Sequence, residues 1–153
     1  MRSHRPRSIS REILTSIITS VITTITVTAL GYYTFSKQFN ADEKFRLNQN
    51  LNKLLDITLQ YPFLEDSAFV AWWDKNKNSN NDSSLRYQTY CEYVFNFVDD
   101  VCDYYNYDRK EIDKFIDMDD LIVLHKSWWK LPEVQNTQSY DKRFKDLVEA
   151  VYK

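Results

Sequence analysis

Glycine is almost missing from this chain: Gly31 is the only one in 153 residues, and there are three prolines. Sheet-rich folds draw on glycine at hairpins and bulges, so the shortage argues against a β-sandwich or barrel and for an all-α architecture. Histidine is nearly as scarce, with only His4 and His125. There is no glycine-rich phosphate loop, no nucleophile motif and no metal-ligand spacing, so no cofactor is expected and an enzyme is disfavoured. Cysteine is confined to Cys91 and Cys102. On one helix these two would lie about 16 Å apart, beyond the ~7 Å limit between Cα atoms of a disulfide, and both read as buried thiols.

Charge is missing from one stretch. Glu12 and Lys37 bracket Ile13 to Ser36, 24 residues without a charged side chain. As a helix this segment spans roughly 36 Å, enough to cross a hydrocarbon core of about 30 Å with some tilt. Tyr32, Tyr33 and Phe35 stand at its far end, where aromatic rings favour the membrane interface. Projected on a helix, Thr15, Ser16, Thr19, Ser20, Thr23, Thr24 and Thr26 gather on one half and Ile17, Ile18, Val21, Ile22, Ile25 and Ala29 on the other. Ser16, Ser20, Thr24 and Thr28 form an unbroken row spaced by four, the pattern of a helix–helix contact face in a bilayer. The competing reading is that these hydroxyls bond back to carbonyls of their own helix and face lipid without a partner.

Two further readings of the segment stand beside an uncleaved anchor. Arg2, Arg5, Arg7 and Arg11 followed by an apolar run and Val27-Thr28-Ala29 also fit a cleavable secretory signal, and a buried soluble helix is the third possibility. The arginines before the run favour a cytoplasmic N-terminus and a single-pass topology. Beyond residue 36 there are 16 basic and 21 acidic residues, a net charge near −5, which disfavours a nucleic-acid partner. The chain therefore divides into a basic tail over 1–12, a transmembrane helix over 13–36 and a soluble helical domain over 37–153, the last expected to be a compact bundle of about five helices.

Helical periodicity fills that domain. Leu47, Leu51, Leu54, Leu55, Thr58 and Leu59 give an amphipathic helix from Asp42 to about Gln60, which Pro62 ends. A short helix from Ser67 to about Lys75 follows, then a polar loop from Asn76 to Ser84. Asp74, Asn76, Asn78 and Asp82 imitate a calcium loop, but Ser79 replaces its turn glycine and Leu85 its closing glutamate, so a solvated loop is expected. Leu85 to about Tyr107 carries the widest apolar stripe, with Tyr87, Tyr90, Val94, Phe97, Val101 and Tyr104 alternating by three and four. It is expected to be the central core helix. Asp108 with Glu111 suggests a capping box. Asp117, Asp119 and Asp120 open a further helix that runs through Trp128 to a stop at Pro132. Carboxylates there complement a helix dipole, and a ferritin-like metal site would need Glu-x-x-His pairs that are absent. A last helix after Ser139 buries Phe144, Leu147, Val148 and Val151. If His125 were a general base, Asp120 or Ser127 would have to converge on it. The plainer expectation is a helix residue beside Trp128 and Trp129.

The landmarks Tyr61-Pro62-x-Leu64, Trp72-Trp73, Tyr90-Cys91-Glu92-Tyr93-Val94-Phe95-Asn96, His125-x-x-Trp128-Trp129-x-x-Pro132 and Tyr140-Asp141-x-x-Phe144 occur in an order that resembles uncharacterised bacterial membrane-anchored helical proteins. The resemblance covers about residues 10–150 and implies an anchored all-α domain with no activity attached. It also implies an anchor that often runs N-terminus out, the reverse of the charge-based orientation. The functional expectation is a membrane-anchored interaction or regulatory module that meets a protein partner, or a second copy of itself, through the hydroxyl face. The alternative is a membrane-acting effector or pore-forming subunit.

Overall fold

The computed structural model describes residues 9–77, 81–135 and 139–153. Most of the basic tail and Asn78 and Ser79 of the calcium-like loop lie outside them. Within the described residues the chain is all-helical, with eight α-helices and a 3-10 turn. They are α1 (Ile9–Gln60), the 3-10 turn Pro62–Glu65, α2 (Ser67–Lys75), α3 (Asp82–Tyr104) and α4 (Arg109–Phe115), then α5 (Met118–Val123), α6 (Lys126–Trp129), α7 (Pro132–Gln135) and α8 (Lys142–Val151). Two compact units are present, residues 1–43 and 44–153.

In the first unit α1 is exposed nearly everywhere from Ile13 onward. Its apolar side chains are open to the surroundings, Ile25 and Val27 at 63% each. α1 is the one helix among the described residues long and apolar enough to cross a membrane. Its aromatic end is self-organised: Phe35 and Phe39 stack at 6.3 Å between centroids, and the Lys37 ammonium lies 4.8 Å from the centroid of the Tyr33 ring.

The second unit begins within the same helix, because nothing between Ser36 and Asp42 breaks it. Leu47 and Leu54, seven apart, are buried in the core and Leu51 is partly so. Leu55 and Leu59 are 51% and 79% exposed instead, and Ile57 packs in their place. The expected apolar face was therefore too wide on one side. α1 ends at Gln60 as Pro62 requires, and that proline opens the 3-10 turn.

α3 is the centre of the unit. Tyr87, Tyr90, Cys91, Val94, Phe95, Phe97, Val98, Val101 and Cys102 are all buried, as its wide stripe predicts. Burying so many large apolar side chains, at roughly 1.5–3 kcal/mol each, makes this helix the main source of the unit's stability. It starts at Asp82, three residues earlier than expected, because Asn81 caps it by accepting from the Ser84 N–H at 2.8 Å. Polar residues that read as loop are here the N-terminal turn. Phe95 stacks on Trp128 and Trp129 of α6, at 5.1 and 4.8 Å, and Trp129 meets Phe144 of α8 edge-on at 5.8 Å. The Trp129 indole N–H donates to Glu149 at 3.0 Å, so its polar edge is satisfied.

The single helix expected from Asp117 to Leu131 is divided. The His125 N–H bonds to the Ile122 carbonyl three residues back, at 3.0 Å. Such a 3-10 contact tightens the chain and separates α5 from α6. Pro132 then takes the first position of α7. These short helices are why there are more elements than a five-helix bundle. Asp117 caps α5 through the Asp120 N–H at 3.2 Å. Asp108 caps α4, but it accepts from the Lys110 N–H, and Glu111 pairs with Lys114, so the reciprocal half of the capping box is not formed.

Candidate functional site

Two places concentrate polar groups where the sequence or the fold gives them work. The first is the row Ser16, Ser20, Thr24 and Thr28 in the first unit. All four lie on the exposed surface of α1. Thr24 donates its hydroxyl to the Ser20 carbonyl at 2.8 Å, and Thr23 and Thr26 bond back in the same way to Thr19 and Ile22. These donors are occupied within the helix, while each hydroxyl oxygen keeps acceptor capacity.

The second place is in the core of the second unit, where one row of hydrogen bonds joins four elements. The His125 ring, at the α5–α6 junction, is fully buried. Its Nδ1 lies 3.0 Å from the Tyr87 hydroxyl and its Nε2 lies 3.2 Å from Glu65 Oε1. Tyr90 donates its hydroxyl to the same Glu65 oxygen, and Thr58 Oγ1 stands 3.0 Å from the Tyr90 hydroxyl. The rings of Tyr87 and Tyr90 each have their centroids 5.6 Å from that of His125.

Donor arithmetic orients the row. An ionised Glu65 only accepts, so Nε2 carries a proton. In the neutral ring Nδ1 then accepts from Tyr87. Burial pushes the Glu65 carboxyl up, but the hydrogen bonds it accepts from His125 and Tyr90 outweigh it and hold the group below its ordinary value. Burial, followed by smaller contributions from neighbouring acidic groups, pushes the Tyr87 and Tyr90 hydroxyls up, keeping them as donors.

His125 was anticipated as a helix residue whose partners, if any, would be Asp120 or Ser127. It sits at a break between helices, and its partners are Glu65 and Tyr87. Ser127 bonds to Asp74. Both imidazole nitrogens are engaged and the ring has no exposed surface, so neither nitrogen is open to a reacting molecule. The row ties α1, the 3-10 turn, α3 and the α5–α6 junction together, and a hydrogen-bonded network around a buried ring with both nitrogens engaged favours one packing over its alternatives. Sequence reading missed Glu65, Tyr87, Tyr90 and Thr58 as a group, because Glu65 and His125 are sixty residues apart. The available signal was that tyrosines on a core stripe need partners for their hydroxyls.

A further polar cluster lies at the C-terminal end of α3. The Tyr107 hydroxyl is shared between Asp99 and Asp141, at 3.4 and 3.3 Å, and the Arg143 guanidinium lies 4.1 Å from the centroid of its ring. Asn106 and Tyr107 both take left-handed backbone conformations, at φ 48° and 62°. The turn is closed by the Tyr107 N–H bonding to the Cys102 carbonyl at 2.7 Å. Burial, with Asp103, Asp141 and Asp100 nearby, pushes the Asp99 carboxyl up to about 6.

No protein-family model matches the chain, and no curated protein or solved structure is similar enough to match it.

Proposed function

We propose that the protein is a single-pass, membrane-anchored helical module that acts by interaction, with the uncharged part of α1 as the anchor. In this reading Ser16, Ser20, Thr24 and Thr28 form its contact face toward a second copy or a partner helix. The observation that carries the reading is the exposed apolar length of α1. Ile13, Leu14, Ile17, Ile18, Val21, Ile22, Ile25, Val27 and Leu30 are each about half exposed or more, far beyond the apolar patch a soluble monomer sustains in water. A bilayer is the covering that suits a continuous helix of this length. Arg2, Arg5, Arg7 and Arg11 place its N-terminus on the cytoplasmic side in this proposal.

The contact face has a second support in Gly31, three residues beyond Thr28. A methyl added there would meet no atom within 4 Å, so no contact within the chain calls for glycine. Glycine in a helix costs about 0.5–1 kcal/mol relative to alanine, and close approach of another helix is a use that offsets the cost. Because the Thr24 donor is already bonded to Ser20, association would rest chiefly on close packing, with hydroxyl oxygens as acceptors.

An association assay on the anchor within a membrane tests the contact face. Ser20→Leu with Thr24→Leu fills the groove and should lower association in a graded way, since each bond across such a seam contributes only about 0.6–2 kcal/mol. Ile18→Leu with Ile22→Leu on the opposite face should leave association unchanged. Equal behaviour of the two pairs would reduce the helix to a tether.

A further inference from the structure

We infer that the second unit binds a small organic cation, a primary alkylammonium, in the cavity beside Glu65. This stands apart from the membrane proposal and would hold for a soluble chain. The cavity, about 330 Å³, lies between the end of α1, α3 and the α4–α5 turn. That volume is at the lower end for small-molecule sites. Leu51, Leu54, Leu55, Phe115 and Leu121 make its apolar wall. Its polar groups are the carboxylates of Glu65, Asp117 and Asp120 and the hydroxyls of Thr58 and Tyr90.

The charge of this lining is one-sided. No lysine, arginine or histidine side chain lines it, and among the described residues none of the three carboxylates pairs with a lysine or arginine. Asp117 and Asp120 also complement the start of α5, but Glu65 belongs to another element. Glu65 is fixed from behind, where Oε1 receives both His125 and Tyr90. Its second oxygen makes no hydrogen bond among the described residues, and the side chain, 32% exposed, is one of those that line the cavity. A preorganised carboxylate with a free oxygen, set in an apolar wall, is complementary to an ammonium group carrying a short hydrocarbon chain. An anionic ligand would meet three like charges, and a neutral one would leave them unpaired.

The full-length protein in phosphatidylcholine nanodiscs, with empty nanodiscs as the blank, tests this by titration with n-pentylammonium, pentan-1-ol and pentanoate. Pentylammonium should bind saturably, pentanol at least tenfold more weakly, and pentanoate not at all over the same range. Glu65→Gln should weaken pentylammonium at least tenfold. Because that change also removes the charge facing His125, two variants at exposed positions carry the test if it fails to fold. Leu55→Trp fills the cavity and should abolish binding, and Asp120→Asn should weaken it severalfold, both with unchanged melting. Similar binding of all three probes would overturn the inference, as would undiminished binding to Leu55→Trp or no saturation by pentylammonium.

Discussion

Asp99 carries a cost that pH exposes. It is half-buried on α3 among Asp100, Asp103 and Asp141, and its carboxyl is pushed up to about 6 from an ordinary value of 3.8, first by burial and then by those neighbours. A raised carboxyl favours the protonated form in the folded chain. Its contribution to stability is therefore fully present below about pH 4 and is lost as pH rises through about 6. Asp99→Asn keeps an oxygen for the Tyr107 hydroxyl and removes the charge. After allowance for solvent screening it should stabilise the protein by about 1 kcal/mol at pH 7 and by nothing near pH 4. Melting curves at the two pH values check this, and a less stable variant at pH 7 would show that the carboxylate is needed there. Phe97 offers a plainer test on the same helix. It is 2% exposed, and Phe97→Ala should cost about 3–5 kcal/mol in denaturant unfolding of the full-length chain. An unchanged midpoint would remove this face of α3 from the core.

At the scale of elements, what local periodicity could carry was legible. α2 occupies Ser67–Lys75 as expected, α1 ends before Pro62, and the aromatic stripe of α3 is the core. Cys91 and Cys102 are buried thiols, and Phe144 and Val148 bury one face of α8. Departures arose where a local rule met a tertiary demand. Asn81, Asp82 and Ser83 favour loops because their side chains compete for backbone groups, and the same property makes such residues good helix starts. Leu55 and Leu59 satisfy the helical period, yet the neighbouring elements reach only as far as Leu54 and Thr58, leaving both leucines exposed. The Glu65–His125 contact has no local signature at all. It joins a 3-10 turn to a helix junction, and only the fold brings the two together.

Taken as a whole, the molecule divides its chemistry between two units. Residues 44–153 hold the aromatic core, the buried hydrogen-bonded row and the carboxylate-lined cavity. Among the described residues of the unit over residues 1–43 no side chain is buried, and the apolar ones are open along the helix. Such a segment is stable only with a covering, and the proposed covering is lipid. Alkaline carbonate extraction of membranes that hold the full-length chain tests this most directly. The account predicts the protein in the membrane pellet, at its full mass. Recovery in the supernatant, or as a shortened soluble chain beginning near Leu30, would contradict it.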